Sequence, residues 1–222
     1  MANRAAARGR RQDGLSREVI IRAATDLLDS GGESALTLRA LTTRLKTGYG
    51  AVYHHVADKD DLLAAATDEV VARVLAGVAV DAEPRQALRG LALGLFDEID
   101  AHPWVGAQLA RHPLESATLE IYECVGRLLD ALAVPGRALF DAAGALMNYV
   151  LGVAGQNAAQ ARSAEGADRA AFLAAVAGRW ARLDPGRYPF VRKAAARLPE
   201  HDDREQFLAG IDIFLAGIAT LG

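Results

Sequence analysis

Apolar positions recur at intervals of three and four residues along nearly the whole chain, and no run shows the β-branched alternation of a half-buried strand. The pattern predicts an all-α protein. Over residues 17–29, Val19, Ile20, Ala23, Ala24, Leu27 and Leu28 fall on one stripe, with Ser16 placed to cap the helix and Gly31 and Gly32 to stop it. Thr37 can cap a second, short helix carrying Leu38, Leu41 and Leu45. A break at residues 46–48 separates this from a third helix containing Val52 and Val56. A fourth starts at Asp58, where Asp60 and Asp61 complement the positive helix end, and runs through Leu62, Leu63, Ala66, Val70, Val74 and Leu75.

Beyond it, Pro84, His102-Pro103, His112-Pro113, Pro135-Gly136, Asp184-Pro185-Gly186 and Leu198-Pro199 divide the chain into about six further helices, since proline suits the first helical turn. Two of these, over residues 138–161 and 206–221, are apolar on most sides. Such helices must bury two faces, one in their own subunit and one on a partner, which predicts a homodimer.

Charge sharpens the division. The net charge is −3, but residues 1–59 carry ten Lys or Arg against six Asp or Glu, for +4, and the remainder carries −7. A basic head on an acidic body is the distribution expected when only the head meets phosphate. The start, MANRAAARGRR, has no apolar segment behind it, so residues 1–15 read as a flexible basic arm whose Arg4, Arg8, Arg10 and Arg11 suit phosphate or a minor groove. No stretch approaches eighteen consecutive apolar residues, so no membrane partner is expected. The single cysteine, Cys124, can build neither a disulfide framework nor a metal site within one chain, which fits a reducing cytoplasm.

The functional information is concentrated in LTLRALTTRLKTGYGAVYHHVADKDDLL, residues 36–63. A tight connection links two helices, and the second exposes Tyr49, Tyr53, His54 and His55 beside the small Gly50 and Ala51. Small residues allow close approach to a major groove, while Tyr and His supply hydrogen-bonding groups. These residues resemble the tetracycline-repressor (TetR) family: Leu36-Thr37 opens helix two and Leu45 ends it, followed by Val52-Tyr53-His54-His55-Val56, then Asp58-Lys59 and Leu62-Leu63. More faintly, Met147 to Gln156 and Phe207 to Ile218 resemble two dimer-forming helices of that family's tetracycline-repressor subtype.

The resemblance implies a helix-turn-helix reader over residues 16–60 and a ligand-binding, dimerising body over 61–222. It implies DNA contacts at Arg39, Tyr49, Gly50, Ala51, Tyr53, His54, His55 and Lys59. Three positions depart from the family pattern: Lys46 stands where glycine is usual, Thr47 where an apolar residue is usual, and Gly48 where Ser or Thr caps the reader helix. Lys46 and Gly48 therefore join the candidate DNA-binding residues, Lys46 as a cation near phosphate.

In the body, Asn148 and Gln156 fall near positions that line the ligand cavity of the resembling subtype, and Trp104, Tyr122, Tyr149 and Trp180 are candidate aromatic walls. Such a lining predicts a mainly apolar, neutral or singly charged organic effector. His54 and His55 are adjacent and diverge by about 100° on a helix, so no metal site is expected, and no cofactor is implied. No G-x-S-x-G, H-E-x-x-H or glycine-rich phosphate loop is present, which argues against an enzyme. The expectation is a cytoplasmic, ligand-responsive repressor that grips a palindromic double-stranded DNA operator. The alternative is a ligand-sequestering or adaptor protein with a relic reader.

Overall fold

The computed structural model describes residues 15–79, 82–112, 114–163 and 169–221, so most of the expected basic arm lies outside the described residues. Those described form eleven α-helices and one short 3-10 helix, with no strand. The first helix, α1 (Arg17–Ala35), is capped by the Ser16 hydroxyl, which accepts from the Val19 amide at 3.4 Å. Its buried stripe is Ile20, Ile21, Ala23, Ala24 and Leu28, whereas Val19 is 38% exposed. The helical path breaks at Gly31 and at Gly32, whose φ of 63° and ψ of −162° suit only glycine, so the expected stop is present as a break within the element.

Thr37 caps α2 (Leu38–Leu45) by accepting from the Ala40 amide at 3.1 Å. After a turn comes α3 (Tyr49–Tyr53), then α4 (Lys59–Ala76). The start of α4 is tied reciprocally: Asp58 accepts from the Asp61 amide at 2.8 Å, and the Asp61 carboxylate accepts from the Ala57 amide at 2.9 Å. Leu41, Val52, Val56, Leu62 and Leu63 close a small core with Ile20 and Ala24. That core continues without interruption into the rest of the molecule.

The body comprises α5 (Pro84–Ala101), α6 (Pro103–Arg111), α7 (Ser116–Ala131), α8 (Gly136–Ser163), α9 (Arg169–Ala181), α10 (Pro189–Ala195), the 3-10 turn Leu198–Glu200 and α11 (Asp203–Ile218). Proline occupies the first turn of α5, α6 and α10, as the sequence pattern requires, whereas α9 begins with no proline to announce it. Helix α5 is central and packs on α4, α6, α7, α8 and α11. Phe207 of α11, fully buried, stacks on Phe96 of α5 and on Tyr149 of α8.

Helix α4 bridges the two parts, packing on α1, α5, α6 and α7. Glu115, in the N-cap position of α7, makes no side-chain cap. Burial pushes the Asp68 carboxyl above the usual carboxylate range. Cys124 is buried and free, and burial raises its thiol, which makes it an inert core residue.

Candidate nucleic-acid interface

Helix α3 is five residues long, and its orientation is set by Val52 and Val56, at 0% and 5% exposure, which anchor it against the small core. Anchoring that side leaves Tyr49 and Tyr53 outward, 52% and 56% exposed. The helix ends at Tyr53, so His54 is its C-cap and His55 follows in the turn, where the sequence pattern placed both on the helix. His54 is exposed; His55 is half-buried, with its ring edge-on to His54 at 5.4 Å. His55 also lies close to Glu18 of α1. Glu18 is held below the usual carboxylate range chiefly by the Ser16 side chain, with His55 a minor contributor.

A Cβ placed on Gly48 or Gly50 would meet nothing within 4 Å. Internal packing therefore does not demand glycine at either position, and the bare backbone faces open space. Ala51 is half-buried between them and the core. Gly48 holds the N-cap position in extended conformation with no side-chain bond to offer.

Lys46 ends α2 in the left-handed conformation, φ 51° and ψ 42°, with its amide bonded to the Thr42 and Thr43 carbonyls. This is the role glycine usually fills, and lysine there costs on the order of 1 kcal/mol. Lys46→Gly is expected to raise the thermal midpoint by a few degrees, about 2 to 4 °C per kcal/mol for a chain of this size. Differential scanning calorimetry checks it, and an unchanged or lower midpoint would contradict the strain.

Lys46 and Arg39 are both exposed, and neither forms an ion pair among the described residues. Arg44, by contrast, is committed to Asp26 of α1. Lys59 is exposed at the start of α4, yet its ammonium already donates to the Glu33 carbonyl, leaving two further donors. Beside the reader helix, a concavity of about 360 Å³ is walled by Leu36, Leu41, Val52, Tyr53, Val56 and Lys59, among others.

The six residues expected to line a ligand cavity are not brought together. Trp104 is buried at the junction of α6 with α1, where its indole N–H donates to Asp29 at 2.8 Å. Tyr149 donates its hydroxyl to the Phe207 carbonyl at 3.0 Å, and burial raises its phenol pKa. Tyr122 is half-buried and bonds the Phe140 carbonyl at 3.4 Å, while Trp180 sits half-buried on α9. Asn148 and Gln156 are exposed on the outer side of α8. Among the described residues, no group of three or more His, Cys, Asp or Glu is placed to hold a metal ion.

Sequence and structural comparisons bear on the same geometry. Residues 20–66 match the family described as bacterial regulatory proteins, tetR family, and residues 81–221 match the tetracyclin repressor-like C-terminal domain. The chain belongs to the TetR family. A solved TetR-family transcriptional regulator, SCO7222 from Streptomyces coelicolor, is 49% identical, with 93% of this chain and 99% of that one covered and a TM-score of 0.85. An HTH-type transcriptional regulator of Saccharopolyspora erythraea is 35% identical over 140 residues, 62% of this chain and 59% of that protein's length. At 24% identity, ActR from Streptomyces coelicolor, solved in complex with actinorhodin, shares the fold with a TM-score of 0.76 over 92% of this chain and 95% of its own. This TetR-family chain is thus a helix-turn-helix transcriptional regulator with a helical C-terminal domain.

Proposed function

We propose that this TetR-family regulator is a cytoplasmic, ligand-responsive repressor that binds a palindromic operator as a homodimer, with the reader over residues 16–60 and the body over 61–222. The observation that carries the reading is the α3 face: exposed Tyr49, Tyr53 and His54 stand over buried Val52, beside glycines with open space in front of them. Exposed Arg39, Lys46 and Lys59, on the elements before and after α3, are cations for phosphate, and the arm of residues 1–15 adds four arginines. Two such readers one helical turn apart, about 34 to 36 Å, meet two half-sites of a palindrome.

The second copy meets the first through α8 and α11. Their outer faces are bare: Ala145, Asn148, Gly152 and Gln156 on α8, and Ile213, Ala216 and Gly217 on α11. Helix α8 is long and apolar enough to cross a membrane by length and composition, but its apolar side packs on α5, α6 and α7, the role of a core helix. The effector is a small organic molecule taken up by the body. The same-fold ActR, solved with actinorhodin, supports that ligand class. An effector that binds better to the DNA-incompetent arrangement shifts the dimer off its operator, with a coupling of about 1 to 3 kcal/mol.

The reading is tested by selecting bound sites from random double-stranded DNA and measuring affinity for the best of them. Tyr53→Ala and His54→Ala are each expected to weaken that binding by about 1 to 3 kcal/mol where the lost contact is to a base. Both side chains are exposed, so helical content and thermal midpoint stay unchanged. Wild-type protein that selects no DNA, or both variants binding at wild-type affinity, would return the chain to the sequestering alternative.

A further inference from the structure

The tail of α1 is fastened to α6 at two points, one on each side of the Gly31–Gly32 break. Before the break, Asp29 lies in the last helical turn, where a carboxylate opposes the helix dipole and gains nothing from its own helix. Its Oδ1 accepts from the Trp104 indole N–H at 2.8 Å and sits 2.7 Å from His102 Nδ1. After the break, Glu33 Oε1 accepts from the Gln108 amide at 3.3 Å and pairs with Arg111. The Glu33 carbonyl in turn accepts from Lys59, the first residue of α4.

All four partner side chains belong to α6 or to its N-cap, His102. Trp104 and Gln108 are 3% and 6% exposed, so their polar groups have little access to water if the acidic partners are lost. Helix α6 is itself held closely against α5 and α8: a Cβ on Gly106 would come within 2.9 Å of Ile99 and 3.9 Å of the Gly155 Cα. From His102 the contacts run on through Glu98 of α5 to Arg73 of α4.

We infer that Asp29 and Glu33 are positioning residues that fix the reader to the body and thereby set which half-site spacing the dimer accepts. The inference rests on the operator-binding reading above. The path is continuous: the outer face of α8 meets the second copy, its inner side holds α6, and α6 holds the tail of α1 on both sides of the glycine break. With both clamps made, the break is immobilised. With both removed, the polar ties between α1 and α6 are gone, and the reader is held to the body through α4 and apolar packing alone. Adding one base pair between half-sites moves them apart by about 3.4 Å and rotates one against the other by about 34°. A rigid frame rejects such a site, and a loosened one accommodates it.

The experiment takes the best site selected by the wild-type protein from random double-stranded DNA and remakes it with one base pair inserted or deleted at its centre. Wild type is expected to bind the altered sites at least about tenfold more weakly. The Asp29→Ala, Glu33→Ala double variant is expected to narrow that difference to about threefold or less, even as its affinity for the original site falls. General loosening of the fold would lower binding to all sites in proportion and leave the ratio untouched. Should the double variant not give a folded dimer, Trp104→Phe keeps the aromatic packing, removes the donor to Asp29 and is expected to narrow the ratio as well. A folded dimeric variant that discriminates as sharply as wild type overturns this inference alone. Wild-type protein that selects no DNA overturns the operator reading and this inference with it.

Discussion

Ile213→Glu should turn the proposed homodimer into a folded monomer and lower affinity for the proposed operator by about a hundredfold to ten-thousandfold. The size of the effect follows from linkage: a dimer engages its second half-site as an intramolecular event, and a monomer forfeits that advantage. Ile213 suits the test because it is 74% exposed on α11, so a carboxylate there stays in water in the separated subunit. In the proposed dimer the same charge would be taken out of water at the interface. Leu215, two residues on, would mislead. It is 2% exposed within its own subunit, so Leu215→Glu destroys the core before it tests the interface, and the half-buried Leu151 mixes both effects. Light scattering at micromolar concentration, circular dichroism and DNA-binding titrations read the three outcomes separately. A variant that remains dimeric would remove α11 from the interface.

The local signals in the sequence translated well into structure. Ser16, Thr37 and Asp58 each cap the helix that their position before an apolar run suggested, because capping needs only a side-chain oxygen within three residues of a free amide. Lys46 adopts the left-handed turn that its place in the pattern demanded. The reader's extent was less legible. Five helical residues span less than two turns, too few for periodicity to separate His54 and His55, which lie beyond the helix, from Tyr53, which ends it.

The body was less legible where a helix is apolar on most sides. Along α8, alanines and glycines on the outer face resemble those on the inner one, so nothing local told Asn148 and Gln156 that they face away from the core. Trp104 was legible as a candidate aromatic wall, but its polar partner was not. Its partner Asp29 is 75 residues away, and Glu33 reaches Arg111 across 78. No short-range pattern encodes pairings at that separation. They emerge only once α1 and α6 are packed side by side.

Phe207→Ala should cost about 3 to 5 kcal/mol and lower the thermal midpoint by about 6 to 20 °C. Phe207 is fully buried and sits in the middle of an aromatic stack, 4.6 Å from the Phe96 ring and 5.6 Å from the Tyr149 ring, with interplanar angles of 26° and 14°. It therefore joins α5, α8 and α11 at a single point. Relaxation into the vacated space is restricted on the Tyr149 side. That ring lies so close over Gly210 that a Cβ there would come within 1.8 Å of its hydroxyl, and the hydroxyl is already bonded to the Phe207 carbonyl. A site that cannot collapse keeps its cavity, which places the cost toward the upper part of the range. Tyr149→Phe is the matched comparison: it retains the stack and gives up one hydrogen bond, for about 0.5 to 1.5 kcal/mol. Melts at a single fixed protein concentration keep any contribution of the proposed dimer constant between variants. The Phe207→Ala loss should be at least about twice the Tyr149→Phe loss. If the two prove equal, the hydrogen bond rather than the aromatic stack holds α11 in place.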